Sequence, residues 1–344
     1  MVATQQPENA DMKRRNPVGR YLSILSVSLA IAVPIAALQS GAAAAQSYPS
    51  RPVRLVVPAA AGGGLDVLAR IMAQRVSEIW NQQLFVENKP GANFIIGMDA
   101  VAKAEPDGYT LLFVSSAGLT INPVVFAKLP LDPMRDLKPV TITTSNPFVL
   151  LVNSSVPAKS VQELVAYLKA NPGKLNHASN SASTMLVSEL FKARAGVDYT
   201  DINLRGGGPA IISTEAGDTQ LCFVDLASAT AALSSDRVRV LAVTTADRYD
   251  LRPDLPTLAE GGVAGYSAAA WGVVLAPART PAEIIARINN AFREALKSPQ
   301  LIERIHAVGN EVVGSSQEEA LNTLGAEADQ WSNLVRERHI QLMQ

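Results

Sequence analysis

Few residues in this chain are both reactive in type and spaced for chemistry. The sequence contains no G-x-S-x-G elbow, no H-E-x-x-H, no P-loop and no C-x-x-C. Its three histidines are His177, His306 and His339. His306 and His339 fall on C-terminal helical stretches and read as surface residues. His177 ends a strand pattern, where a ligand contact is open to it. A metal site needs several ligands converging at fixed spacing, so no metal and no cofactor are expected. Asp66, Asp107 and Asp225 lack a paired base or nucleophile. The single cysteine, Cys222, lies in the apolar run Leu221–Val224, reads as a small buried hydrophobe and forms no intramolecular disulfide. The expectation is binding without turnover, not an enzyme.

What the sequence does offer is a set of small polar turns at strand ends. Pro58-Ala59-Ala60-Ala61-Gly62-Gly63-Gly64 sits between a strand pattern and a helix start. Glycines let backbone N–H groups approach a ligand, and the helix end carries partial positive charge, so the turn suits an anion. For a glycine triplet alone, a tight ligand-free turn is the plain alternative. Ser115-Ser116-Ala117-Gly118, Ser179-Asn180-Ser181 and Gly206-Gly207-Gly208 occupy similar positions. Four such turns at one end of the strands carry more weight than any one.

The elements that would position these turns alternate between two periodicities. Val53–Val57 is a buried strand pattern, and Leu65, Leu68, Met72, Val76 and Ile79 share a helical face after it. Strands follow at Leu84–Val86 and Tyr109–Val114, with a helix around Ile95–Ala104 between them. A second series from about Val149 to Thr245 has strands near Leu175–Ser179, Leu221–Asp225 and Val238–Thr245, and Trp271–Ala276 gives one more. Alternation of this kind predicts a parallel sheet covered on both sides by helices. Helix starts are marked by capping boxes at Ser160–Glu163 and Ser316–Glu319, and by a cap, proline and glutamate at Thr280–Glu283. Leu321, Leu324, Ala328, Trp331 and Val335 are read as the buried stripe of the last helix. Polar junctions at Thr141–Pro147 and Tyr249–Gly265 suggest two crossings between two lobes, with a ligand cleft between them.

Bulk properties narrow the function classes. The chain has 344 residues, 30 Lys+Arg against 31 Asp+Glu and a formal net charge of −1, which gives no basic face for nucleic acid. Lys13, Arg14, Arg15 and Arg20 precede an apolar stretch from Tyr21 to about Leu38, followed by Ala42–Ala45 and Gln46. This is the layout of a cleaved export signal, with cleavage expected after Ala45. Met12 directly before the basic cluster is an alternative start. Arg14-Arg15 raises twin-arginine export, but Asn16-Pro17-Val18-Gly19 lacks the apolar pair that such signals carry. The expected location is the periplasm.

From VRLVVPAAAGGGLDVLAR (residues 53–70) onward the sequence resembles the Bug-type substrate-binding proteins of tripartite tricarboxylate transporters. The resemblance continues through VENKPGAN (86–93), AVAKAEPDGYTLLF (100–113), INPVVFAKLPLDP (121–133), VNSSVPAKSVQELVAYLKANPGKLN (152–176), ELFKARAGV (189–197), LAVTTADR (241–248), LPTLAEGGVAGY (255–266) and VLAPARTP (274–281). It implies a type 2 periplasmic-binding-protein fold of α/β class: two lobes joined by two hinge crossings, with the ligand cleft between them. The expected division is a signal peptide over 1–45, one lobe from 46–145 with 250–344, and the other from 146–249. It also implies a small carboxylate ligand and integral-membrane transporter subunits as partners; a monomer is the default expectation for a protein that shuttles. A ligand-sensing subunit for a membrane signalling partner is the alternative that uses the same cleft.

In this family the carboxylate is held by backbone N–H groups and bridging waters in two cleft loops. Carried over, the resemblance assigns Ala59, Ala61, Gly62, Gly63, Leu65 and Asp66 in one loop and Ser115, Ser116 and Thr120 in the other. The opposite lobe would add Ser179, Asn180, Ser181, Gly206, Gly207 and Asp225. The departures concern the ligand. Leu65 stands where a threonine is common, Ala59–Ala61 where a Phe-Pro-Pro-like segment is usual, and Leu204-Arg205-Gly206 where Tyr-Lys-Gly is common. The turn after Ala178-Ser179 is about two residues shorter, and Asp225 is displaced by one position, which in a strand would turn it to the other face. These changes predict a less polar or bulkier carboxylate than a simple dicarboxylic acid.

Overall fold

A computed structural model describes residues 48–341 apart from 205 and 231. The export signal, its cleavage after Ala45 and the alternative start at Met12 lie outside the described residues, as does Arg205. Residues from Tyr48 onward form one compact unit.

The strands are β1 (Val53–Val57), β2 (Leu84–Asn88), β3 (Thr110–Ser115), β4 (Leu137–Asn153), β5 (Asn176–Ser179), β6 (Thr200–Asn203), β7 (Leu221–Asp225), β8 (Val238–Val243), β9 (Ala269–Pro277) and β10 (Glu311–Val312). The longer helices are α1 (Gly64–Trp80), α2 (Ile95–Ala102), α3 (Val161–Ala170), α4 (Ala182–Ala195), α5 (Gly207–Ala216), α6 (Ala282–Ala295), α7 (Pro299–His306) and α8 (Gln317–Glu337). The sheet order is β2-β1-β3-β9-β4-β7-β5-β6, with β8 and β10 also pairing β4.

A parallel sheet was the expectation, and the flanks follow it. β1 pairs β2 and β3 in parallel, and β5 pairs β6 and β7 in parallel. The centre is antiparallel, because β9, which follows the return from the second half, runs opposite to both β3 and β4. Up to Pro147, β4 pairs β9; from Phe148 it pairs β7 and β8. The polar stretch Thr141–Pro147, read as a junction, is therefore the middle of a strand of 17 residues. The return passes beside it, with the Thr244 N–H donating to Phe148 O at 3.0 Å and Ala268 N–H to Thr244 O at 2.8 Å.

Each half has its own core. Val53, Leu55, Val57, Met72, Val76, Leu111, Phe113 and Phe292 pack on one side of the first half's sheet, and Val56, Met98, Leu112, Val114 and Leu275 on the other. The second half buries Leu150, Leu164, Leu190, Phe191 and Phe223 on one side and Leu151, Ala178, Cys222 and Val224 on the other. Strands covered on both faces read as continuous apolar runs, which is how they were found. Cys222 is fully buried, and burial pushes its thiol up to about 12.

Three local expectations are revised. At Ser160 the hydroxyl accepts the Glu163 N–H at 3.2 Å, but the Glu163 carboxylate bonds Lys159 N–H at 2.7 Å, so only half a capping box forms. Pro281, not Thr280, occupies the N-cap of α6. In α8 the stripe is Ala320, Leu324, Trp331 and Leu334, and Leu321 is exposed. The full box at Ser316 is present.

Candidate functional site

Where β4 and β9 pass between the halves, a cavity of about 340 Å³ opens. The first half contributes Gly64, Leu65 and Leu68 from α1 and Ser115 from β3. Thr144, Asn146, Phe148, Ala270, Trp271 and Gly272 come from the crossing strands, and Val308 and Asn310 from the turn after α7. The second half contributes Asn180, Ser181, Ser183, Thr184, Asp225 and Ala227. Among these lining residues Asp225 is the one ionisable side chain. Such a surface binds by hydrogen bonds and apolar contact rather than by ion pairing.

Two helix N-termini face this space, one from each half. α1 starts at Gly64, so the N–H groups of Gly64, Leu65 and Asp66 have no intrahelical acceptor. In α4 Ser181 and Thr184 form a reciprocal capping box, with the Ser181 hydroxyl accepting the Thr184 N–H at 3.3 Å and Thr184 Oγ1 accepting Ser181 N–H at 3.1 Å. That leaves the N–H groups of Ala182 and Ser183 without intrahelical acceptors. The helices run for 17 and 14 residues, long enough for their dipoles to favour an anion between them.

The loop before α1 is held from below. Asp66 is buried, its carboxylate accepting from Gly62 N–H at 2.8 Å, Asn88 Nδ2 at 2.9 Å and Arg70 Nε at 3.0 Å. Burial pushes this carboxyl up, but the bonds from Arg70, Gly62 and Asn88 outweigh it and hold the group at about 2. Asn88 Nδ2 also reaches Ala59 O at 3.0 Å. Asp66 therefore positions the loop, and the Gly62 N–H is engaged by Asp66.

The loop after β3 rests on the C-terminal helix. Ser116 and Thr120 are buried, the Thr120 hydroxyl donating to Ser116 O at 3.0 Å. The Ser116 hydroxyl faces Glu327 Oε1 at 3.4 Å. Burial pushes the Glu327 carboxyl up to about 7, against the opposing pull of Trp331, Ser116 and Thr120.

On the second half, Ser179 is buried and donates to Asp201 Oδ2 at 2.8 Å. His177 is fully buried; its Nδ1 lies 2.6 Å from Asp201 Oδ1 and its Nε2 accepts the Phe223 N–H at 3.1 Å. Both ring nitrogens are engaged inside the half, away from the cavity. Asp225 ends β7 and caps the short helix Leu226–Ala229, accepting from Ser228 N–H and Oγ, both at 2.8 Å. That turn brings it into the cavity lining despite its displaced position.

Of the residues assigned from sequence, Leu65, Ser115, Asn180, Ser181 and Asp225 are brought together around one cavity. Gly207 lies behind them, where an added Cβ would sit 3.3 Å from Ser228 Oγ and 3.6 Å from Asn180 Nδ2. Ala59, Ala61, Gly62, Gly63, Asp66, Ser116, Thr120, Ser179 and Gly206 stand outside the lining. Sequence reasoning missed Thr144, Asn146, Phe148, Trp271 and Asn310. Polar residues inside an otherwise apolar strand were the available signal for the first two.

Residues 68–340 match the family described as tripartite tricarboxylate transporter family receptor. The chain belongs to that family. Protein BugT of Bordetella pertussis is 32% identical over 324 residues, spanning 92% of this chain and 97% of BugT. A structure from R. palustris with adipate is 32% identical with a TM-score of 0.71, covering 86% of this receptor and all (100%) of that chain. MatC from Rhodopseudomonas palustris with bound malate is 28% identical with a TM-score of 0.68, covering 84% of this receptor and 100% of MatC. The mixed α/β fold of this receptor is the fold of those solute-binding proteins. Among the described residues, no helix is long and apolar enough to cross a membrane and no acidic, His or Cys cluster has the grouping of a metal site.

Proposed function

We propose that this receptor works in the periplasm, closes on a small organic carboxylate and hands it to integral-membrane transporter subunits without converting it. The observation that carries this is the cavity at the crossing strands, faced by one helix N-terminus from each half. Its volume of about 340 Å³ fits a ligand of a few carbons. The carboxylate lies between the N–H groups of Gly64 and Leu65 on one side and Ala182 and Ser183 on the other. Residues 46–145 with 250–344 form one lobe and 146–249 the other, and β4 with the Thr244–Ala268 return supplies the two hinges. Groups on both lobes give the closed form its higher affinity, which is the condition for a ligand to drive closure. The receptor acts as a monomer.

A thermal-shift screen of protein beginning at Gln46, unfolded and refolded to remove carried-over ligand, tests this reading. The panel holds adipate, malate, tricarboxylates, aromatic acids and amino acids. A ligand at about 100 times its dissociation constant adds about 2.7 kcal/mol, a shift of several degrees for a chain of this size. Absence of any shift across the panel overturns the carboxylate assignment.

A further inference from the structure

The crossing strand carries an asymmetry among its polar side chains. Thr141 Oγ1 donates to Ser315 O at 2.8 Å and Thr143 Oγ1 to Gly272 O at 3.0 Å, so both hydroxyls are engaged within the protein. Thr144 and Asn146 differ. Thr144 Oγ1 and Asn146 Oδ1 are buried and have no hydrogen-bond partner, and both residues line the cavity. Thr144, Asn146 and Phe148 stand two apart on β4, so they share one face of the strand, and that face is the cavity's floor. Buried polar atoms are almost always paired, and an unpaired one beside an open cavity points to a partner that enters from outside.

The opposing strand keeps this floor open. Gly272 pairs with Thr144 and Ala270 with Asn146. A Cβ at Gly272 would collide with Thr144 Oγ1 and press on the Phe113 ring. The absence of a side chain there leaves the Thr144 hydroxyl its place. Asp225, whose carboxylate only accepts, lines the same cavity. The two helix N-termini supply donors, whereas Asn146 Oδ1 and Asp225 supply acceptors. The cavity thus has a donor side for an anion and an acceptor side for something else.

We propose that Asn146, with Thr144 beside it, is a specificity-determining ligand contact that reads a hydrogen-bond donor, a hydroxyl or an N–H, on the carbon chain of the carboxylate. The inference rests on the carboxylate-capture reading above and names the class of acid: hydroxy- or amino-substituted acids over their unsubstituted parents. A parent acid leaves Asn146 Oδ1 and Thr144 Oγ1 buried and unpaired in the complex, which is the larger part of the discrimination.

The test is calorimetric titration of the Gln46-onward protein with matched pairs: succinate against malate and aspartate, and phenylacetate against mandelate. The substituted member of the pair that binds is expected to be tighter by about tenfold. In Asn146→Leu that ratio falls to about one, mainly because the parent acid binds more tightly once it no longer buries an unpaired acceptor. Thr144→Val, which retains shape, reduces the ratio in the same direction and provides a second variant. Equal affinities within every pair in the unaltered protein, or a ratio unchanged in Asn146→Leu and Thr144→Val, overturn the inference and leave carboxylate capture standing. Binding by no carboxylate at all overturns both.

Discussion

Replacing Glu327 with glutamine separates the cost of a buried carboxylate from the shape of the residue that carries it. Glu327 Oε2 is buried without a hydrogen-bond partner, and the contact to the Ser116 hydroxyl is long, at 3.4 Å. Burial raises the carboxyl from 4.5 to about 7. The folded protein therefore holds this proton where the unfolded chain has released it. The associated stability is fully present below pH 4.5, falls by about 1.4 kcal/mol per pH unit above that, and is lost once pH has risen through about 7. The whole span is worth about 3 kcal/mol. The amide of the Glu327→Gln variant does not ionise, so the variant should gain on the parent as pH rises. Urea unfolding of both proteins at pH 5, 6, 7 and 8, followed by tryptophan fluorescence, gives the difference directly. Groups titrating in both proteins, Glu311 among them, cancel. The difference should move by about 2–3 kcal/mol in favour of the variant between pH 5 and pH 8. Parallel stability curves, with a constant offset across that range, would refute the reasoning.

Two further substitutions probe how the cavity is built. Asp66→Asn removes a carboxylate held at about 2 by Arg70, Gly62 and Asn88; the parent should lose this contribution as pH falls from about 4 through 2, and the variant should be weaker by about 1–2 kcal/mol at pH 7 by chemical unfolding. The same variant should bind a carboxylate less tightly without losing its fold, read by titration, because the loop before α1 loses its anchor. Gly272→Ala forces a methyl group against Thr144 and Phe113, and should cost about 1–3 kcal/mol in unfolding free energy.

The parts of the fold visible in sequence were those whose pattern is local. β1 and β7 read correctly to the residue, because each is a strand covered on both faces and is apolar apart from Arg54 in β1 and the terminal Asp225 in β7. The capping box at Ser316 is equally local. What escaped depends on partners distant in sequence. Nothing near Thr144 announces that Gly272, 128 positions away, lies opposite it in the sheet. His177 stood at a strand end near the expected cleft, yet it bonds Asp201 and Phe223 within its own half, contacts that only the sheet register reveals. The turn before α1 was legible because a glycine-rich stretch between a strand pattern and a helix start has meaning in sequence alone, whereas Ser181, which caps α4, was read only as part of a small polar turn. The floor between them was not legible, since a threonine and an asparagine in a strand have many uses. Leu321 was misplaced because a stripe drawn on an isolated helix does not say which neighbours will cover its edges.

The C-terminal helix changes what opening and closing can mean for this receptor. α8 is 21 residues long, about 30 Å, and buries Leu324 in a core of the first half but Trp331 and Leu334 in a core of the second. Arg338 just beyond it reaches Glu189 of α4 at 3.1 Å. A rigid rod seated at both ends sets the range of travel the way a door stay does. Any tilt of one half against the other must therefore roll or unseat this helix at one of its two ends.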